Sequence, residues 1–114
     1  MDIFIKGKRE KSCIVINNSA EIQVRENYTD NQCEWLSLVD AMVFISGHQE
    51  VNDFHIKTDS ILLFRQLNGF YRIKSKALKP LYFQWNRFKN LLRDLEIDYL
   101  YVSGYNNKAR GHVI

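Results

Sequence analysis

The sequence predicts an α/β fold built on a five-stranded mixed sheet flanked by helices, and three observations carry that prediction. Three short β-branched or alternating runs fall within the first 26 residues, too closely spaced for helices between them. They read as an antiparallel meander. Further along, strand-like runs alternate with helical patterns, which calls for parallel neighbours added to the same sheet. Between 78 and 95, Leu78, Leu81, Trp85, Phe88, Leu92 and Leu95 recur at spacings of three and four, one buried stripe of a long helix.

The elements follow in order. "IFI" (3–5) and "SCIVI" (12–16) are apolar and β-branched, and predict strands. "AEIQVRE" (20–26) alternates more cleanly and predicts a third strand with one wet face, joined to the second by a tight turn at Asn17 and Asn18. "TDNQ" offers a capping box, Thr29 with Gln32 three residues on, opening a helix to about Ser46. Gly47 is expected to end it in a left-handed conformation. "DFHIK" (53–57) predicts a strand, and "SILLFRQL" a short helix capped by Ser60 and stopped by Asn68 and Gly69. Pro80 suits the first turn of the helix over 78–95, where no amide partner is lost. "IDYLYV" (97–102) predicts the last strand. "IFIKG" is expected in the middle of the sheet, between "SCIVI" and "DFHIK".

A chain of 114 residues fits one domain over 1–114, and 46% hydrophobic residues exclude wholesale disorder. The longest apolar run, "AMVFI", is far short of a membrane span, and "MDIFIKGKREK" carries charges where a signal peptide needs its apolar stretch. The expectation is a soluble, cytoplasmic protein without membrane contact. Cys13 and Cys33 lack metal-ligand spacing and read as reduced packing residues. There is no Walker sequence, no Gly-rich dinucleotide loop and no Cys/His cluster, so no cofactor is expected. His48 and His55 lie seven residues apart across a turn-to-strand boundary and read as surface or packing residues, not zinc ligands.

The net charge of +3 conceals an asymmetry. Residues 20–59 hold eight acids against Arg25 and Lys57, whereas residues 65–93 hold eight bases and no acid. Phe70, Tyr71, Tyr82 and Trp85 are interleaved with those bases. Cations beside flat rings suit a phosphate backbone and stacked bases, which makes Arg72, Lys74, Lys76, Lys79 and Arg87 candidate nucleic-acid contacts. The alternative is a solvated helix face whose aromatic residues belong to the core.

Four stretches then resemble the ribonuclease H family, in its compact form. "TDNQCEWLSL" is similar to the entry of the helix that bears the family's catalytic Glu, here Glu34. "HIKTDSILLFRQLNG" is similar to the strand and helix around the second catalytic Asp, here Asp59. "MDIFIKG" is similar to the first strand, which in active members ends in Asp-Gly. "VSGYNNKAR" is similar to the last strand and the loop that carries the final Asp. The resemblance implies a sheet with four carboxylates holding two divalent cations, Mg²⁺ or Mn²⁺, that cut the RNA strand of a hybrid.

Two of those carboxylates are missing. Lys6 stands where the family has Asp, directly before Gly7, and Arg110 falls on the final Asp. Tyr105 takes the place of a loop residue that is often His in active relatives. Glu34 and Asp59 remain. A lysine ammonium at the metal position would neutralise the surviving acids and repel a divalent cation. The expectation is a catalytically degenerate domain, with no metal, that still binds an RNA–DNA hybrid or structured RNA through the basic segment. Two alternatives stand beside it: a protein-interaction or scaffolding domain of a nucleoprotein complex with its own protein partner, and an active metal-dependent hybrid ribonuclease.

Overall fold

The computed structural model describes residues 1–114. Five strands form one sheet: β1 Asp2–Lys8, β2 Lys11–Ile16, β3 Ser19–Val24, β4 Asp53–Thr58 and β5 Glu96–Tyr101. Their spatial order is β3-β2-β1-β4-β5, with the first three antiparallel and β1-β4-β5 parallel. β1 is central, between β2 and β4, as the sequence predicts. The helices are α1 Asp30–Ser46, α2 Ile61–Leu67 and α3 Lys79–Leu91. No helix is long and apolar enough to cross a membrane.

Local chemistry sets the element ends. The Thr29 hydroxyl accepts from the Gln32 amide at 3.2 Å, and the Gln32 side chain accepts from the Thr29 amide at 2.8 Å, closing the capping box. Ser60 caps α2 by accepting from the Leu63 amide at 3.1 Å. Gly69, at φ 78, then takes the left-handed conformation that turns the chain out of α2. Gly47 does end α1, but at φ −89, so the expected left-handed cap is not formed there. Its amide instead bonds back to the Ile45 and Phe44 carbonyls in a tightened last turn.

Alternation along the strands separates two cores. Ile3 and Ile5 of β1, Ile14 and Ile16 of β2, and Phe54 and Ile56 of β4 face the helices, where they meet Trp35, Leu38, Met42, Leu63, Leu81 and Trp85. Trp35 makes edge contacts with Tyr82 and Trp85, at centroid distances of 6.2 and 5.9 Å, joining α1 to α3. On the opposite face Phe4, Cys13, Val15, Ala109 and Val113 form a second, smaller cluster under the C-terminal segment.

Three expectations need correction. β3 has no buried face: all six residues are exposed, Ile22 by 45% and Val24 by 71%. Its alternation is real, but β3 is the sheet edge, and the small second cluster stops at Cys13 and Val15 of the neighbouring strand. The long helix ends at Leu91, so Leu92 and Leu95 are packed by a turn leading into β5. Phe88 is only half-buried, packed against the outside of the main cluster.

Candidate active site and nucleic-acid interface

Lys6 lies on the strand face that α1 does not cover, yet it meets a carboxylate from α1. Gly7 makes this possible. A Cβ at position 7 would collide with the Cys33 carbonyl and the Glu34 amide, so the missing side chain lets the first turn of α1 abut β1. Glu34 thereby reaches past the strand to Lys6. Asp59 arrives from the other side, immediately after β4, where the buried Thr58 hydroxyl accepts from the Ser60 amide at 3.0 Å and shapes the turn.

The three side chains form one ion-paired group. Lys6 Nζ is 2.7 Å from Glu34 Oε1 and 2.8 Å from Asp59 Oδ1. The Lys6, Glu34 and Asp59 side chains are only 13%, 7% and 5% exposed. Burial pulls the Lys6 ammonium pKa down, but Glu34 and Asp59 outweigh it, and the net displacement is upward. Burial pushes the Glu34 carboxyl up to about 7, against the pull of Lys6. Its second oxygen, Oε2, is buried with no hydrogen-bond partner, which is why one ammonium does not hold this carboxylate in its usual range.

Arg110, the fourth residue the sequence points to, is not brought into this group. It makes no ion pair with Glu34 or Asp59. Its guanidinium lies against Gly104, where a Cβ would strike Nη1 and come within 3.2 Å of Asp59 Oδ2. The segment is fastened by a residue the sequence reading passed over. Buried Asn107 donates to the Ile5 carbonyl at 2.9 Å and accepts from the Ala109 amide at 3.0 Å. The bare pattern of an Asn in "YNNKAR" carries no signal of such a staple. Tyr105 points into solvent and is almost wholly exposed.

A divalent ion held by Glu34 and Asp59 would need the point already taken by Lys6 Nζ, within hydrogen-bonding distance of both carboxylates. The side chains in contact here offer two carboxylates and one ammonium, a donor set that does not fit two hard divalent ions.

The basic candidates Arg72, Lys74, Lys76, Lys79 and Arg87 are all exposed. Arg72 and Lys79 line an open cavity of about 430 Å³ with Tyr71, Tyr82 and Phe83. Arg65 lies over the Tyr71 ring at 5.4 Å and donates to its hydroxyl at 2.7 Å. Of the interleaved aromatics, Phe70 and Tyr71 are exposed, whereas Trp85 is core and donates to the Tyr99 hydroxyl at 3.2 Å. Trp85 is thus no stacking platform.

No family model matches the sequence, and no curated protein matches it. Solved structures do. The chain is similar to LC11-RNase H1, isolated from compost by a metagenomic approach and solved with an RNA/DNA hybrid. That match has a TM-score of 0.80 at 16% identity, over 96% of this chain and 91% of the other. The N-terminal RNase H domain of rv2228c from Mycobacterium tuberculosis, solved as a fusion with maltose-binding protein, matches with TM-score 0.76 and 19% identity over 93% of this chain and 84% of that one. RNase H1 from the halophilic archaeon Halobacterium salinarum NRC-1 matches with TM-score 0.76 and 17% identity, over 98% and 92%. With the strand order, the helix positions and these likenesses together, the chain has the ribonuclease H-like fold.

Proposed function

We propose that this ribonuclease H-like domain binds nucleic acid, an RNA–DNA hybrid or structured RNA, without cutting it and without a metal ion. The observation that carries the reading is Lys6 Nζ, 2.7 and 2.8 Å from the two carboxylates that remain at the family's catalytic positions. An internal ammonium there supplies the positive charge that metal ions supply in active members, but it does not coordinate water and generate hydroxide. Binding is supported separately, by five exposed cations and a cavity that joins Arg72 and Lys79 to aromatic rings. The hybrid bound by LC11-RNase H1 supports that class of partner for this fold.

A second reading, a protein partner, is favoured by β3, an edge strand paired on one side only, with Ile22 and Val24 exposed. One experiment separates the readings. A labelled hybrid is titrated with the protein across a salt series, with and without Mg²⁺, and the strands are then run on a denaturing gel. Salt-dependent binding with both strands intact is expected. Metal-dependent cutting would refute the degenerate site, and no binding even at low salt would favour the protein partner. Millimolar Mg²⁺ should also leave the melting temperature unchanged, since a ligand stabilises only what it binds.

A further inference from the structure

His55 stands between two aspartates on the sheet face that α1 leaves uncovered. Asp53 and His55 are two residues apart on β4 and so project from the same face. Asp98 is the β5 residue in register with His55. His55 Nε2 lies 3.5 Å from Asp53 Oδ1, and Nδ1 lies 3.2 Å from Asp98 Oδ2. One donor atom from each of the three side chains can be chosen so that all lie within 4.8 Å of one another.

We propose that Asp53, His55 and Asp98 bind a first-row divalent transition ion of the zinc type, which clips the edge strand β5 to β4. Four-coordinate zinc holds nitrogen and oxygen donors at about 2.0–2.2 Å, which places neighbouring donors roughly 3.4 Å apart. The aspartates now lie against different ring nitrogens, so closing the spread to that value around one of them requires rotation of the three side chains, each 31% exposed or more. The imidazole decides the class of ion: it suits zinc, cobalt or nickel, whereas magnesium prefers an all-oxygen shell. The surrounding charge points the same way. Glu96 is in register with Asp53, and Asp2 with His55; the cation beside them, Lys57, is held by Asp2 at 3.1 Å. No lysine or arginine side chain is in ion-pair contact with Asp53 or Asp98, and the N-terminal ammonium near them donates to the Asp53 carbonyl, at 2.7 Å.

The site is separate from the Lys6 group. His55 and Asp59 are four residues apart along one extended segment, about 13 Å at strand rise. The inference does not rest on nucleic-acid binding. Sequence spacing did not reveal the site, because its third ligand comes from a strand more than forty residues away.

The test uses tag-free protein at neutral pH, titrated with Co²⁺ while visible absorption is recorded, with thermal melts in Zn²⁺ run in parallel. The expected result is saturable binding of one ion in the micromolar range, with ligand-field bands and a raised melting temperature in Zn²⁺. His55→Gln and Asp98→Asn should each weaken binding by at least about tenfold. Glu34→Gln, at the Lys6 group, should leave it unchanged. Absence of saturation at millimolar Co²⁺ would overturn the proposal. So would unaltered affinity in His55→Gln, or loss of binding in Glu34→Gln.

Discussion

Replacing Lys6 with Met removes one charge while keeping an unbranched apolar stem of similar reach. The two carboxylates left behind are 7% and 5% exposed, and no other cation is in ion-pair contact with them. Removing one partner from a buried ion pair costs about 3–5 kcal/mol, against at most about 1 kcal/mol for an exposed pair. The burial here places the variant in the first range. The cost must also depend on pH. The Glu34 pKa is raised from 4.5 to about 7, so the folded state holds this proton more tightly than the unfolded state. Its stabilising contribution is complete below about pH 4.5 and is lost as pH rises through 7, a span on the order of 3 kcal/mol. Without Lys6 the proton is held still more tightly, so the penalty of the substitution is smallest near pH 5 and begins to grow as pH rises through about 7. It grows by about 1.4 kcal/mol per pH unit until the variant also loses the proton, and so is larger by up to roughly 2 kcal/mol near pH 8.5. Urea unfolding followed by circular dichroism at both pH values, extrapolated to water, reads the difference directly. A cost below about 1 kcal/mol at both would refute the reasoning, because it would mean that the group is solvated.

Reversing Lys74, Lys76 and Lys79 to Glu should weaken hybrid binding and flatten its salt dependence, by about 0.9 in slope per lost phosphate contact on a B-form duplex; fluorescence anisotropy across a salt series checks this. Gly7→Ala drives a methyl group into the backbone of Cys33 and Glu34, and should cost about 3 kcal/mol or more in urea unfolding because neither contact can rotate away. Asn107→Ala leaves the Ile5 carbonyl and the Ala109 amide without their partner and should cost about 2 kcal/mol, with amide exchange rising first in the 103–113 segment.

Much of this fold is legible in the sequence because its signals are local. The capping box at Thr29, the Ser60 cap and the stop at Asn68 and Gly69 are each written within a few residues, and each forms. The position of Lys6 between Glu34 and Asp59 is not local, and it becomes legible only through the family resemblance. What resisted reading depends on neighbours distant in sequence. β3 alternates like a half-buried strand, but whether anything covers its apolar side is decided by the C-terminal segment, which stops over β2. Trp85 sits among lysines and arginines and looks like a stacking ring until Trp35, from α1, is placed against it. The family resemblance puts Arg110 on a catalytic position, yet the Asn107 staple sets the path of its loop and leaves the guanidinium beside Gly104.

That displacement of Arg110 changes the charge argument for the site. The sequence suggests neutrality from two acids and two bases, but only one base makes contact. One ammonium between two ionised carboxylates leaves a net negative charge in a nearly water-free space, which is costly unless a further cation or a proton is present. The proton is the cheaper solution for Glu34, whose Oε2 has no partner and whose pKa stands at about 7. Below that pH the group is balanced as one lysine, one ionised aspartate and one neutral glutamic acid. A divalent ion would have to displace the lysine and strip the glutamic acid of its proton, two penalties that an active site with a carboxylate at position 6 does not incur. On the proposed reading, the substitution before Gly7 thus does more than delete a ligand. It makes the occupied state of the site part of the folded chain.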